Sequence, residues 1–239
     1  CRQRCICVRL AVASVVYKRQ SRQTAVGSLS EALSALEWPS ELILAENGST
    51  DRTVEIANQL AERSPQVHSA SVGEPNYGRA LKEAILRASG EFVICDEIDL
   101  CDTDFYRRAM AVLETGAADL VVGSKGMGGA SDERPVMRHA ATIVLNGMLR
   151  VALGFTGTDT HGLKAFRRAP LVEVARQCLV DKDLFASEFV IRAERASIRI
   201  EEIPIRVLEK RPPSIGLFRR VPNVLKGMAR LFVAIRIKG

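Results

Sequence analysis

A stretch of apolar residues long enough to cross a bilayer as a helix is lacking from this sequence of 239 residues. The longest apolar window, "AATIVLNGMLRVALGF" (140–155), is interrupted by Asn146 and Arg150. Low-complexity segments and internal repeats are also missing. With 47% hydrophobic and 26% charged residues, the composition indicates an ordinary globular protein rather than a disordered or multispan membrane chain.

Pairs of cysteines at CxxC spacing are absent as well. Cys1, Cys5 and Cys7 lie near one end, and the other three cysteines are scattered at positions 95, 101 and 178. A chain of this length needs no disulfide framework, so we expect reduced thiols in a reducing compartment such as the cytoplasm. A zinc site at the three clustered cysteines would need a fourth ligand, and the sequence supplies none nearby.

Acidic residues are missing from both ends of the chain. Residues 1–22 hold six Arg and Lys side chains and residues 210–239 hold eight, which leaves a net charge of −8 for the middle within a total of +6. A nucleic-acid binder usually carries its basic surface on the folded domain, so this distribution predicts no nucleic-acid partner. It fits a protein whose ends contact an anionic surface.

Apolar β-branched runs alternate with amphipathic helical patterns, which predicts an α/β fold with a mostly parallel sheet covered by helices. We expect strands at 8–17, 41–46, 66–72, 91–96 and 119–124, and helices at 28–36, 51–63, 78–89 and 104–114. A Gly-rich loop (127–135), a long helix (136–153), a strand (161–166), a helix (187–196) and a strand (198–208) follow. The later strands are expected to complete or flank the same sheet.

This pattern predicts one α/β domain over 1–209, divided into halves at 1–125 and 126–209, and a basic tail at 210–239. A helical stripe in the tail contains Val221, Val224, Leu225, Met228, Leu231, Phe232 and Ile235, and Arg220, Lys226, Arg230 and Arg236 lie off it. A basic amphipathic helix of this kind binds an anionic membrane surface. Packing of the same stripe on the protein's own core is an equally good interpretation.

The fourth expected strand delivers carboxylates to its carboxyl end. In "GEFVICDEIDLCDTDFY" (90–106) an apolar run precedes Asp96, Glu97, Asp99, Asp102 and Asp104. Carboxylates this close repel one another unless a cation or hydrogen bonds compensate, and ligands of open α/β sheets bind at this edge. The cluster is interpreted either as a divalent-metal site or as a solvated loop that caps the next helix.

The second expected strand ends in the turn "AENGSTDRT". Glu46 and Asn47 finish the strand, Gly48 permits a tight turn, and Ser49 and Asp51 can cap the helix that follows. The same polar groups suit the donors of a base or the hydroxyls of a ribose. The turn therefore has a structural interpretation and a nucleotide-binding one.

Together these motifs resemble glycosyltransferase family 2. "ENGSTDRT" is similar to the family's "DDGSTDGT" turn, "NYGRALKEAILRASGEFV" to its N-x-G-x-x-x-A helix, and Glu97-Ile98-Asp99 to its D-x-D metal motif. Segments from "VVGSK" to "RIEEIPIRVLEKRPPS" are similar to the dolichol- and polyprenyl-phosphate mannose synthase branch, with Lys125 in place of an Arg. The resemblance covers about residues 40–225 and implies the GT-A nucleotide-sugar fold. Where the family's first strand ends in P-x-Y-N-E, only Tyr17 is kept.

The resemblance implies roles for individual residues. Nucleotide-sugar contacts are expected from Tyr17, Glu46, Asn47, Ser49, Asp51, Asn76, Gly78, Arg79 and Asp96, and Mg²⁺ or Mn²⁺ ligation from Glu97 and Asp99. Catalytic roles are expected from Asp99, Lys125, Arg138 and Asp159, and acceptor contacts from Arg134, His161, Glu188, Arg211 and Ser214. Asp96 and Glu97 point to opposite sides of a strand, so they cannot both bind the metal without a bulge.

The expected function is metal-dependent, inverting transfer of a hexose, such as mannose or glucose, from a nucleotide diphosphate sugar to a polyprenyl or dolichyl phosphate. The protein is expected on the inner face of the membrane as a peripheral protein, and a membrane subunit or a second copy is considered as a further partner. A lipid phosphate needs cations and no general base, whereas a sugar hydroxyl would need Asp159 or Asp102 as the base. A nucleotidyltransferase and a catalytically degenerate nucleotide-sugar-binding protein are the alternatives.

Overall fold

A computed structural model describes residues 10–16, 38–49, 52–97, 102–132, 136–207 and 217–238. Its strands are β1 (Leu10–Val16), β2 (Ser40–Glu46), β3 (Val67–Ser71), β4 (Phe92–Glu97), β5 (Leu120–Ser124), β6 (Ser131–Asp132), β7 (Lys164–Arg167), β8 (Ile200–Pro204) and β9 (Arg206–Val207). Its helices are α1 (Thr53–Arg63), α2 (Tyr77–Arg87), α3 (Thr103–Thr115), α4 (Val136–Leu153), α5 (Arg168–Gln177), α6 (Phe185–Arg195) and α7 (Leu217–Arg236), with a 3₁₀ turn at Lys182–Leu184 before α6.

Seven strands form one sheet in the order β3-β2-β1-β4-β7-β5-β8, and β6 pairs with β9 in a second sheet of two strands. All neighbours in the large sheet are parallel except β7, which is antiparallel to both β4 and β5. The predicted α/β class with a mostly parallel sheet is confirmed. The strand expected at 161–166 corresponds to β7, and it completes the sheet at its centre.

Two features of the second half differ from the expectation. The single strand expected at 198–208 is divided into β8 and β9, and the N–H of Ile205 donates to the carbonyl of Ser124 at 3.2 Å as part of the ladder with β5. The chain then leaves β5 and pairs with β6 instead. Helix α5 was not expected; its Pro170 lies in the first helical turn, where proline is tolerated. The helix expected at 28–36 lies outside the described residues.

Both faces of the sheet are buried, because successive side chains of a strand point to opposite sides. Ile43 of β2 and Val93 of β4 pack in one apolar cluster with α2, α4, α5, α6 and α7. Their neighbours Leu44 and Ile94 pack in a second cluster with α1 and α3. The strand ends are thus held from both sides, which gives a functional site at the sheet edge a rigid base.

Helix α7 packs on the domain core. Met228, Leu231 and Ile235 are buried in the same apolar cluster as α6, and Arg195 donates to the carbonyls of Ile235 at 2.9 Å and Leu153 at 3.3 Å. Of the two interpretations of the helical stripe, packing on the protein's own core is the one observed for these positions. Within the described ranges, no helix combines the length and the apolar character that crossing a bilayer requires.

Strands β1, β2, β4 and β5 run in the same direction, so their carboxyl ends lie along one edge of the large sheet. Of the expected site residues, Glu46 ends β2, Asp96 lies near the end of β4, and Asn47, Ser49 and Lys125 follow β2 and β5. In open α/β sheets this edge is the usual place for a ligand.

Candidate active site

A buried carboxylate organises the turn after β2. Glu46 is 2% exposed; its Oε1 accepts from the backbone N–H of Ser49, and its Oε2 accepts from Ser71 Oγ at 2.7 Å. Burial raises the pKa of Glu46, but the hydrogen bonds from Ser49 and Ser71 outweigh it and bring the pKa below its ordinary value. The group is therefore ionised at neutral pH and fixes the turn.

The same turn packs directly on the segment that leads into α2. Gly48 has a φ of +81°, and a Cβ atom at this position would lie 2.2 Å from the backbone carbon of Glu74. Asn47 beside it is buried. Only glycine fits this contact, which accounts for the residue in structural terms. The expected nucleotide contacts Tyr17 and Asp51 lie outside the described residues.

The "N-x-G-R" segment at the start of α2 makes contacts within the protein. Asn76 caps the helix by accepting from Arg79 N at 3.0 Å, and it also accepts from Lys182 N at 2.8 Å and donates to Asp181 at 2.9 Å. A Cβ atom on Gly78 would lie 2.5 Å from the carbonyl oxygen of Lys182. The side chain of Arg79 pairs with exposed Glu74 at 2.7 Å. These contacts fasten α2 to the turn before α6.

The carboxylates that follow β4 are separated by the fold. Asp96 is 3% exposed and accepts a hydrogen bond from the Tyr106 hydroxyl of α3. Asp102 is the N-cap of α3 and accepts from Phe105 N at 2.9 Å, and Asp104 pairs with Arg108 at 2.8 Å. Asp96 is thus buried against α3 and its expected contact with a nucleotide sugar stays a prediction, whereas Asp102 and Asp104 follow the capping interpretation.

The expected metal ligand Glu97 is the last residue of β4. The side chain of Glu97 and the whole of Asp99 lie outside the described residues. The described side chains contain no group of three or more His, Cys, Asp and Glu residues that could hold a metal ion. Two carboxylates at Glu97 and Asp99 are nevertheless the hard oxygen ligands that Mg²⁺ and Mn²⁺ prefer.

The end of β5 and the loop before β7 meet in a buried ion pair. Lys125 Nζ lies 2.9 Å from Asp159 Oδ2, and the two side chains are 10% and 1% exposed. Asp159 also accepts from the backbone N–H groups of Lys125 at 3.2 Å and His161 at 2.8 Å. Burial raises the pKa of Asp159, but the charge of Lys125 and these hydrogen bonds outweigh it and lower the pKa. Asp159 is thus a weak base.

His161 lies next to this pair with both ring nitrogens engaged. Its Nε2 lies 2.9 Å from the carbonyl oxygen of Asp183, which can only accept, so Nε2 carries the proton; Nδ1 lies 3.0 Å from Thr160 Oγ1. Desolvation of the ring and the charges of Lys125 and Lys164 lower the pKa of His161. The imidazole is therefore neutral at pH 7 and fastens the loop to the 3₁₀ turn.

A buried lysine that was not expected from the sequence completes this side of the site. Lys164, at the start of β7, is 3% exposed, and its Nζ donates to the carbonyl of Gly162 at 2.8 Å. The neighbouring Cys95 thiol has its pKa raised by burial to about 12, so it is not a nucleophile at neutral pH. The signal in the sequence that could have identified Lys164 is a single charge within the otherwise apolar strand "LKAF".

Glu188 is engaged in contacts within the protein. Its side chain is fully buried, its Oε2 accepts from the N–H groups of Leu179 at 2.9 Å and Val180 at 2.5 Å, and its Oε1 pairs with Arg192 at 2.8 Å. These contacts give Glu188 a structural role, and its expected contact with the acceptor stays a prediction. Arg138 lies on α4 with its side chain undescribed, and Arg134, Arg211 and Ser214 lie outside the described residues.

Comparison with known proteins adds to this geometry. The sequence model of the family described as Glycosyl transferase family 2 matches residues 15–174. The chain is 30% identical over 185 residues to Glycosyltransferase AglD from Haloferax volcanii, and the aligned region covers 76% of this chain and 30% of AglD. It is 25% identical over 202 residues to a Dolichyl-phosphate hexose transferase from the same organism, covering 82% of this chain and 83% of that protein. The chain thus spans less than a third of AglD.

A solved structure with the same fold is glucosyl-3-phosphoglycerate synthase from Mycobacterium tuberculosis, determined with Mn²⁺, UDP-glucose and phosphoglyceric acid. It superposes with a TM-score of 0.61 at 19% identity, covering 95% of this chain and 79% of that one. At this identity the likeness extends to the fold, which is that of a GT-A glycosyltransferase.

Proposed function

The chain belongs to glycosyl transferase family 2, and on that premise we propose that it moves a hexose from a nucleotide diphosphate sugar to a polyprenyl phosphate. The names of its relatives support this class of acceptor, since one is a Dolichyl-phosphate hexose transferase and another is a Dolichyl-phosphate beta-glucosyltransferase. Mannose and glucose are the sugars that we would test first.

The observation that carries the proposal is the state of the groups that could act as a base. Asp159 is held by the Lys125 ammonium and two backbone N–H groups, Asp102 caps α3, and both nitrogens of His161 are engaged. Among the described side chains, each candidate base that the sequence offers is thus committed to a structural contact. An acceptor that is already ionised needs no base, and a phosphate monoester satisfies that condition.

Positively charged side chains also support a phosphate acceptor. Lys125 is held at the mouth of the site by Asp159, and Lys164 is buried close to His161. Two phosphates, one on the donor and one on the acceptor, must be seated in the site, and cations in a partly desolvated place stabilise them more strongly than in water. Arg134, Arg138 and Arg211 are proposed to add to this cationic set.

The donor is proposed to bind between the turn after β2 and the end of β4. Glu46 and Asn47 hold the turn, and Glu97 and Asp99 would hold Mg²⁺ or Mn²⁺ beside the diphosphate. When bound there, the ion neutralises the charge that develops on the departing nucleoside diphosphate. The chain's own residues position an ionised acceptor opposite that leaving group, so a single in-line displacement inverts the anomeric centre.

Membrane association is proposed to occur through α7 and the neighbouring helix α4. Helix α7 exposes Phe232 and, on another part of its surface, the cations Lys226 and Arg230, and Ile237 is exposed just after its last turn. Helix α4, which contacts α7, exposes Ile143, Val144 and Val151. Exposed apolar and basic side chains of this kind suit the anionic inner face of a membrane, where a lipid phosphate is found. A membrane subunit or a second copy of the chain stays a prediction.

The experiment that tests this function has two steps. Calorimetric titration with GDP and with UDP, each with and without Mn²⁺, should give metal-dependent binding of one nucleotide. Incubation with the matching sugar nucleotide and a polyprenyl phosphate should then release nucleoside diphosphate and form a glycosylated lipid. Release of pyrophosphate would indicate nucleotidyl transfer instead. A folded protein that binds neither nucleotide would support the degenerate binding protein.

A paired substitution locates the metal. Asp99→Ala should abolish the metal-dependent transfer without unfolding the protein, since the substitution removes a proposed metal ligand. Asp104→Ala is the control, because Asp104 belongs to the same acidic segment but pairs with Arg108 on the surface of α3. Unchanged turnover in the Asp99 variant would contradict the assigned site.

A further inference from the structure

The segment that carries Asp159 is held in place by side chains from several elements. Thr156 N donates to Glu194 of α6 at 3.1 Å. From α4, Arg150 donates to the carbonyl of Gly157 at 2.9 Å, and Asn146 donates to that of Thr158 at 2.6 Å. A loop that is fixed at successive residues is rigid, and rigidity is what a charged group needs to keep one direction.

Glu202 of β8 makes the most direct of these contacts. Its Oε1 accepts from Thr158 N at 2.7 Å and from Asp159 N at 3.3 Å, and its Oε2 accepts from Thr158 Oγ1 at 2.6 Å. A Cβ atom on Gly157 would lie 2.6 Å from the same Oε1, so the backbone approaches the carboxylate as closely as glycine permits. One carboxylate thereby sets the position of the backbone on the N-terminal side of Asp159.

Thr158 connects this carboxylate to the end of β5. Its Oγ1 lies 2.5 Å from Ser124 Oγ, which also accepts from Gly126 N at 3.1 Å. Lys125 lies between Ser124 and Gly126 in the chain and pairs with Asp159 through both its backbone N–H and its ammonium group. The two partners of the ion pair are therefore supported by one hydrogen-bond network that ends at Glu202.

We propose that Glu202 is a positioning residue that sets the direction of the Lys125 ammonium through Thr158 and Asp159. The inference rests on the proposed function, in which Lys125 seats the acceptor phosphate. Glu202 contacts neither the ammonium nor the expected substrates. A small displacement of a group that aligns two reactants can lower the rate about 100-fold, so the support is expected to matter for turnover.

Three variants test the proposal: Glu202→Ala, Glu202→Gln and Glu201→Ala. Glu201 is the matched control, because it is exposed and points to the opposite side of β8. Glutamine keeps a carbonyl oxygen for Thr158 N and Asp159 N. Its amide can donate to Thr158 Oγ1, which can then donate to Ser124 Oγ, so the network reverses two hydrogen bonds and keeps its partners.

Transfer kinetics should separate the variants. With polyprenyl phosphate varied at saturating donor, Glu202→Ala should lower kcat/KM about 10- to 100-fold, whereas Glu202→Gln and Glu201→Ala should stay within about threefold of the wild type. Nucleotide affinity by titration should be the same in all four proteins. An unchanged kcat/KM in Glu202→Ala would overturn the proposal, and so would a glutamine variant as impaired as the alanine variant.

A readout without substrate keeps this test separate from that of the proposed function. The chemical shift of the Asp159 carboxyl carbon is followed by NMR as the pH is varied, and the signal is assigned by comparison with Asp159→Asn. Glu202→Ala should raise the pKa of Asp159 above its value in Glu202→Gln, because the two variants lose the same charge but only alanine loosens the ion pair with Lys125. If the wild type shows no transfer to polyprenyl phosphate, the proposed function fails, and the titration still decides on Glu202: the same Asp159 pKa in Glu202→Ala and Glu202→Gln would overturn its positioning role.

Discussion

At the scale of single residues, the Lys125 and Asp159 pair is notable because both groups are removed from water. Desolvating two charges costs several kcal/mol, and their attraction offsets this cost only with good geometry and additional hydrogen bonds. Asp159 has two such bonds from backbone N–H groups. A pair built in this way at the sheet edge keeps a cation available in one place, which fits a site for an anionic acceptor better than one for proton abstraction.

Replacing Asp159 should change stability in a pH-dependent way. Asp159→Asn should lower the free energy of unfolding at pH 7 by about 1–3 kcal/mol, because Lys125 loses its partner in a poorly hydrated place. The pKa of Asp159 in the folded protein lies below its ordinary value, so its contribution is present above about pH 4 and is lost as the pH falls through the folded-state value. The difference between wild type and variant should therefore shrink in acid.

Urea denaturation at pH 7 and pH 3.5 measures this difference. Asp104→Asn is the control, since its side chain is 76% exposed and its pairing with Arg108 is screened by solvent. A gap between wild type and Asp159→Asn that stays constant or widens in acid would contradict the ion pair as the cause.

Two glycines give a second prediction at this scale. Gly48 and Gly73 both have positive φ, at +81° and +71°, but a Cβ atom at Gly48 would meet the backbone of Glu74, whereas nothing lies within 4 Å at Gly73. Gly73→Ala should therefore lower the free energy of unfolding by only roughly 1–2 kcal/mol, because a residue with a Cβ atom is strained in the left-handed region. Gly48→Ala should cost about 1–3 kcal/mol more through overpacking, and it should also weaken nucleotide binding. Equal urea midpoints for the two variants would show that the close contact is not important.

At the scale of elements, Asn76 does more than cap α2. A typical N-cap contributes about 1 kcal/mol, which is the expected loss for Asp102→Ala at the start of α3. Asn76→Ala should cost about 2–4 kcal/mol, since it also leaves the N–H of Lys182 and the carboxylate of Asp181 without this partner. Thermal unfolding of the two variants provides the comparison, and similar midpoints would assign Asn76 to capping alone.

The elements of the first half could be predicted because their signals are local. The strands and helices from β2 to β5 follow from apolar periodicity and from caps such as Asn76 and Asp102, and they agree with the structure to within a few residues. The central position of β7 could not be predicted in this way. Four residues of an antiparallel strand carry no local sign of which neighbours they will pair with, and the pairing depends on the whole sheet.

The candidate site, too, has features that follow from the sequence and features that depend on the fold. Motif position predicted Glu46, Lys125 and Asp159 as site residues, but sequence alone could not tell that Asp96 would be buried against Tyr106. Nor could it identify Glu202, whose contacts join residues more than forty positions apart. Contacts of this kind depend on how strands and loops are brought together, and no periodicity in the sequence records them.

At the scale of the whole molecule, α7 has two sides with different expected roles. Its inner side is part of the core, where Leu231 is fully buried, and Arg192 and Arg195 bond its last carbonyls. Its outer side exposes Phe232, and Ile237 is exposed just after its last turn. The buried side explains why the helix is folded against the domain, and the exposed side leaves apolar area and positive charge for a lipid surface.

Two adjacent substitutions separate these roles. Leu231→Ala should cost about 2–5 kcal/mol of unfolding free energy, because a fully buried leucine leaves a cavity. Phe232→Ala should leave the unfolding midpoint nearly unchanged, since its side chain is 42% exposed, but it should weaken binding to vesicles that contain anionic lipid. Co-sedimentation with such vesicles, at low and high salt, measures that binding; the attraction through Lys226 and Arg230 should decrease with salt in both the wild type and the variant. If Phe232→Ala sediments with vesicles as well as the wild type does, α7 is not the membrane-binding surface, and its exposed apolar side chains would have to face another protein.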